Sequence, residues 1–195
     1  MEDVTIARRR RRPLVGRRPF LAPLWILAVL ALVVAGVVAV VLLIYQSAAT
    51  TTVVVVRPGE FAPATQPDPA LASAGEQRAQ RLAQLFGVAA PPGRIAAIYV
   101  TAARRMQQMA APLAARLGIQ PVVISSGDVD EAAARALNDH RGSTVMVVTS
   151  AAAIPKLVDA LSGIKIASLS QDEYDEIYII SVPVLGSAGV VKLHY

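Results

Sequence analysis

Between Phe20 and Tyr45 the chain carries no charged residue and is dense in Leu, Val, Ala and Ile. This run constrains the architecture more than any other feature. A bilayer core of roughly 30 Å needs about 20 apolar residues as a helix, so the run predicts one transmembrane helix, with some tilt. Trp25 and Tyr45 fall toward its two ends, where amphipathic rings favour the interface. Pro23 falls in the first turn, where a missing N–H costs little. The main rival is a cleaved signal peptide, for which Ser47-Ala48-Ala49 offers small residues at a cleavage site. Such peptides have apolar cores of only about 7–15 residues, so an uncleaved anchor is expected.

Charge has to be read with that segment in view. The net charge of +5 suggests a nucleic-acid binder at first sight. Yet Arg8 to Arg12, Arg17 and Arg18 stand against Glu2 and Asp3 alone, and this tail carries the whole excess. Beyond it, twelve basic residues balance twelve acidic ones. A basic cluster beside a span is a topology signal, so no nucleic-acid partner is expected. The expected arrangement is a cytoplasmic tail over 1–19, a membrane helix over 20–45, a short tether over 46–50 and an extracytoplasmic domain over 51–195. The chain would then be a single-pass cell-membrane (inner-membrane) protein with its N-terminus in the cytoplasm. There is no Cys, which excludes disulfides, thiolate metal sites and a Cys nucleophile. No metal or cofactor is expected. Arg in excess of Lys, with abundant Ala, hints at a GC-rich bacterial genome.

Within 51–195 short apolar strands alternate with helical patterns. Strands are expected over Thr51–Val56, Ile95–Val100, Pro121–Ile124, Thr144–Val148, Glu176–Val182 and Gly189–His194. A loop with Pro63, Pro67 and Pro69 leads to a helix that opens on a capping box of Ser73 and Glu76 and places Ala79, Leu82, Leu85 and Phe86 on one side. Pro91-Pro92-Gly93 then breaks the chain. The next helix, from Ala102 to Leu117, aligns Met106, Met109, Leu113 and Leu117. Asp128 with Glu131 signals a third helix, reaching about His140 and ended by Gly142. A last one spans Ala152–Leu161 and stops at Gly163. The expected fold class is α/β, a three-layer sandwich whose sheet is mainly parallel and covered on both faces, with its last two strands pairing as a hairpin. In such sheets ligands sit beyond the carboxyl ends of the strands. Arg57, Thr101 and Ser150 all fall there.

Val53-Val54-Val55-Val56-Arg57-Pro58-Gly59-Glu60, a β-branched strand running into a tight turn, resembles the Arg-His-Gly-Glu signature of the histidine phosphatase (phosphoglycerate mutase-like) superfamily. Four further stretches carry the resemblance across the domain. Asp68 to Gly75 is similar to the Leu-Thr-x-x-Gly entry to the family's first helix, with Ala72 in place of the Thr. Thr101-Ala102-Ala103-Arg104-Arg105-Met106-Gln107-Gln108-Met109-Ala110 resembles Ser-x-x-x-Arg-Thr-x-x-Thr-Ala, with Met106 and Met109 replacing both Thr. Arg141 to Ser150 resembles the strand ending in Gly-His, with Thr149 and Ser150 in those two places. Ile177 to Tyr195 is similar to the closing strands.

The resemblance implies a phosphate pocket made by Arg57 and Arg105 with Thr101 and Ser150, whose two catalytic histidine positions hold Pro58 and Ser150. Pro58 has no nucleophilic side chain and no N–H to donate. Ser150 brings one hydroxyl and no charge. A serine nucleophile needs a base, and neither His140 nor His194 matches a catalytic position. As a cap, Ser150 would bond a free N–H of the next helix. Glu60, Asp128, Asp130 and Glu131 are the acidic candidates for a general acid, with helix capping the simpler role for Asp128 and Glu131. Met106 and Met109 read as core residues.

The expected function is that of a membrane-anchored, catalytically inactive pseudoenzyme, which binds a phosphorylated ligand or anion, or a protein partner. Two alternatives stand beside it: an active phosphatase or phosphomutase with a non-standard nucleophile, and a structural membrane-anchored scaffold.

Overall fold

A computed structural model describes residues 24–47, 50–62, 67–89, 93–125, 128–170 and 172–195. The arginine-rich tail, Pro23, Ala48-Ala49 of the predicted tether, Pro63 and Pro91-Pro92 lie outside the described residues. The rest of that predicted tether is not a linker, since Gln46 and Ser47 belong to the first helix and Thr50 to the first strand. The chain divides into two units, one holding the apolar segment to Leu43 and the other running from Ile44 to Tyr195. Helix α1 spans Leu24–Ser47. At 1.5 Å per residue it is about 36 Å long, enough to cross a bilayer. Its stretch Trp25–Leu43 is long and apolar enough for a membrane span.

The second unit runs β1 (Thr50–Val56), α2 (Ser73–Phe86), β2 (Ile95–Thr101), α3 (Arg104–Leu117), β3 (Val122–Ile124), α4 (Val129–Asn138), β4 (Thr144–Val148), α5 (Ile154–Ser162), β5 (Glu176–Pro183) and β6 (Gly189–His194). One six-stranded sheet has the order β3-β2-β4-β1-β5-β6. β1 lies parallel to β4, and β4 and β3 lie parallel to β2. β5 runs antiparallel to β1 and forms the expected hairpin with β6. The sheet is thus mainly parallel with an antiparallel margin, as expected for a three-layer α/β sandwich.

Alternation along the strands sorts the two faces. Val54, Val56, Ile98, Val100, Met146 and Val148 pack toward α2 and α3. Val53, Val55, Tyr99, Val145, Val147 and Ile180 pack toward α4 and α5. The continuous valines of β1 are buried because both faces are covered. Met106, Met109, Leu113 and Leu117 of α3 all point into the core, as their spacing requires.

Several local expectations are corrected. The N-cap of α2 is Ala72, with no side-chain cap, so Ser73 and Glu76 do not form a capping box. Backbone pairing sets the entry instead: Phe61 bridges Leu71, and the Ala72 N–H donates to the Glu60 carbonyl at 2.8 Å. On α2 the inward set is Ala79, Leu82 and Ala83, while Leu85 is 54% exposed. Six residues beyond Ala79, Leu85 has turned off the buried stripe. α4 ends at Asn138, and Gly142, at φ 74°, serves the turn into β4. α3 and α5 each start two residues later than expected. α5 does stop at Gly163, which is left-handed at φ 70°.

Candidate functional site

The order β2-β4-β1 brings Thr101, Thr149-Ser150 and Arg57 to one end of the sheet on three successive strands. The three segments have different local fates.

β1 drives Arg57 into a buried position, where it is 6% exposed. Its Nη1 donates to the Ser170 carbonyl at 2.6 Å and to the Glu173 carbonyl at 2.8 Å. The guanidinium also lies 4.3 Å from the centre of the Tyr174 ring. Arg57 therefore fastens the approach to β5 onto the end of β1. Pro58 and Gly59 are buried behind it. Gly59 leaves no room for a side chain: a Cβ there would sit 2.6 Å from Cα of Gly75.

Next in sequence, the Glu60 carboxylate takes the Arg78 guanidinium in a fork. Arg78 Nε donates to its two oxygens at 3.0 and 2.9 Å, and Nη2 lies 2.9 Å from Oε1. The Arg78 hydrogen bonds hold the Glu60 carboxyl below its ordinary range, outweighing the effect of burial. Forked in this way, Glu60 and Arg78 form a brace between the β1 exit and α2.

At the β2 exit, Thr101 is buried and α3 begins three residues later. Its N-cap, Ala103, has no capping side chain. That role falls to Asp68, which accepts the Arg104 N–H through both carboxylate oxygens at 3.1 and 2.9 Å. A carboxylate thus sits at the positive end of the α3 dipole, where a bound anion would otherwise be favoured. The neighbouring Arg105 holds its guanidinium 5.0 Å from the centre of the Phe61 ring.

At the β4 exit, the Thr149 N–H donates to the Val56 carbonyl at 3.1 Å and ties the ends of β4 and β1 together. The Ser150 carbonyl accepts the N–H groups of Ala153 and Ile154, at 2.9 and 3.2 Å. The N-cap of α5 is Ala153 without a side-chain bond, so the expected hydroxyl cap by Ser150 is not what starts this helix. A turn closed by backbone bonds has already satisfied those donors. Thr101 and Thr149, together with Ser125 and Asp128, line a crevice of about 10 Å³. That is space for about one water molecule.

The remaining candidates have structural partners. Asp128 caps α4 as expected, accepting the Glu131 N–H at 2.8 Å. Glu131 pairs with Arg135 at 2.8 Å. Asp130 lies in the first turn of the same helix, where a negative charge suits the dipole. The His140 ring meets Tyr99 edge-on, with centroids 5.9 Å apart. His194 Nδ1 lies 3.4 Å from Asp175. His140 precedes β4 and so stands at the far end of that strand from Ser150. His194 is on β6, three strands from β4, which at about 4.8 Å per strand is roughly 14 Å. Neither offers Ser150 a base. Among the described residues no group of three or more His, Asp or Glu could hold a metal ion.

Sequence reasoning missed Asp68 as a cap. Capping rules search the residues adjoining a helix start, and this Asp lies 36 positions upstream. Arg57 was placed correctly at the strand end, but its carbonyl partners, more than a hundred residues away, left no local signal.

Comparison with solved structures gives the fold its family resemblance. The protein histidine phosphatase SixA, complexed with tungstate, superposes with a TM-score of 0.58 at 19% identity, over 73% of this chain and 96% of that one. YhfR of Bacillus stearothermophilus gives 0.56 at 18% identity, over 72% and 95%. A mycobacterial glucosyl-3-phosphoglycerate phosphatase gives 0.52 at 18%, over 68% and 90%. No family model and no curated protein matches the chain. The domain therefore has the phosphoglycerate mutase-like histidine phosphatase fold.

Proposed function

We propose that this domain, a histidine phosphatase fold carried behind one apolar helix, is a pseudoenzyme that works by binding and not by phosphoryl transfer. The observation that carries the reading is at the sheet end: the residue after Arg57 is a buried proline, and the residue after Thr149 is a serine. Phosphoryl transfer through the protein needs a nucleophile in line with phosphorus, with positive groups around the equatorial oxygens. Pro58 supplies no nucleophile. The separation of Ser150 from both histidines weighs against the alternative of a serine mechanism.

Of the two classes of ligand, a phosphorylated molecule or a protein partner, the second has the better support. A phosphate held by Arg57 and Arg105 with Thr101 and Ser150 would compete with the Ser170 and Glu173 carbonyls for one guanidinium. It would also approach the Asp68 carboxylate at the α3 N-terminus. The test is hydrolysis of a generic phosphomonoester by the full-length protein in detergent, with inorganic phosphate titrated in parallel. The expected result is no turnover above background and no phosphate-dependent rise in melting temperature. Turnover abolished by Ser150→Ala would replace this reading with a serine phosphatase. A phosphate-dependent rise lost in Arg105→Ala would restore the anion-binding version.

We infer further that α1 is an uncleaved anchor with its arginine-rich tail in the cytoplasm and the domain outside. The asymmetry of charge about the apolar run supports this. Protease added to intact cells should digest the domain and spare an epitope placed on the tail. Digestion only after the cells are broken open would reverse the orientation.

A further inference from the structure

On the face of the sheet that carries α5, the chain after that helix leaves β5 and β6 partly uncovered. A cavity of about 530 Å³ opens there, within the range of small-molecule sites. Its walls are apolar: Ile164, Ile166 and Leu169 from the irregular segment after α5, and Val190 from β6. Glu176, Tyr178 and Lys192 also line it.

Glu176 is 1% exposed although it is an acid at the first position of a mostly apolar strand. Its Oε1 pairs with Lys192 Nζ, and its Oε2 accepts the Tyr178 hydroxyl at 3.1 Å. Burial alone would push the Glu176 carboxyl up, but the bonds from Lys192 and Tyr178 bring it below its ordinary value. The carboxylate is thus held as one half of an ion pair with Lys192. Holding it there carries a desolvation cost that an apolar residue would avoid. The partner that compensates it is itself half in solvent: the Lys192 side chain is 43% exposed. Glu173 adds a second acidic residue to the lining.

We propose that this cavity is a binding site for a small organic ammonium with an apolar body, and that the Lys192 ammonium is its internal placeholder. The ligand's ammonium takes the place of Lys192 Nζ on Glu176, where a charge-assisted bond forms in a desolvated setting. Its hydrocarbon part lies along Ile164, Ile166 and Val190. Lys192 swings into solvent, where its charge is hydrated at little cost. The cavity borders the Arg57 end of the sheet, since Ser170 and Glu173, whose carbonyls take the Arg57 guanidinium, also line it, but the ammonium contacts Glu176 and none of the residues of the phosphate-pocket reading. A purely structural ion pair that fixes the β5–β6 register would leave the same bonds but bind no amine.

Phenethylamine is the probe, added to the full-length protein in nonionic detergent. Phenethyl alcohol serves as the uncharged control and hydrocinnamate as the anionic one. Calorimetry should show saturable binding of the amine alone. Glu176→Gln should weaken it by about tenfold or more, the equivalent of one lost charge-assisted hydrogen bond. Lys192→Met should strengthen it by a similar factor, because the competitor is gone. If Lys192→Met folds poorly, its refolding yield with and without the amine is the readout, and the amine should raise it where the alcohol does not. Equal affinity of wild type and Glu176→Gln would overturn the proposal. So would a Lys192→Met protein that neither binds the amine more tightly nor is rescued by it.

Discussion

Arg57→Ala should lower the stability of the domain by about 3 kcal/mol, with no ligand present. The guanidinium is buried and donates to two backbone carbonyls 113 and 116 residues away. Hydrogen bonds from a charged donor contribute about 1.5–3 kcal/mol each, and carbonyls left buried without partners add a penalty. The contact with Tyr174 is lost as well. For a domain of this size the melting temperature should fall by roughly 6–12 °C. Arg57→Lys should recover less than half of this, because one ammonium on a flexible stem does not reproduce a planar fork. The measurement is denaturation followed by far-UV circular dichroism on the full-length chain in detergent. A melting curve unchanged by Arg57→Ala would mean that the side chain is held for a ligand and not for the fold.

Gly75→Ala should be at least as damaging, by about 3 kcal/mol or more, and should leave much of the protein insoluble. A Cβ at this position would lie 2.2 Å from the Glu60 carbonyl oxygen and 3.1 Å from the Glu60 nitrogen. The obstacle is backbone, so no rotamer change relieves it. α2 would have to move off the β1 exit, which stretches the Ala72–Glu60 hydrogen bond and pulls Arg78 from Glu60. Overpacking of this kind usually costs about 1–3 kcal/mol, and more when neighbours cannot yield. Gly189→Ala is the matched control, since nothing lies within 4 Å of its Cβ. It should stay within about 0.5 kcal/mol of wild type. Similar losses in both variants would show that the cost is the change of residue and not the close approach.

The residues differ in how much of this could be read from the chain. The buried strands announced themselves because β-branched runs of four to seven residues fit a sheet covered on both faces. The Asp128 cap was visible because its partner is three residues away. Gly75 fell within a stretch marked as a helix entry, yet its reason, the backbone of Gly59 and Glu60, lies across a loop. Glu176 gave no signal of its own, because Lys192 becomes its partner only once the hairpin closes. Periodicity and spacing report neighbours along the chain. Partners brought together by the sheet order remain silent until that order is known.

That order has a bearing on how the domain is made. β1 is the first strand synthesised and ends as an inner one, with β4 on one side and β5 on the other. Val53 meets Val145 and Ile180, roughly 90 and 130 positions later. The entropy of closing loops of that length is lost before the contacts return it, which slows folding relative to chains with local pairings. Four consecutive valines therefore wait unpaired until the last third of the polypeptide arrives. Through that interval they are a β-prone apolar segment with two open edges, the part of the nascent chain most in need of shielding from its neighbours.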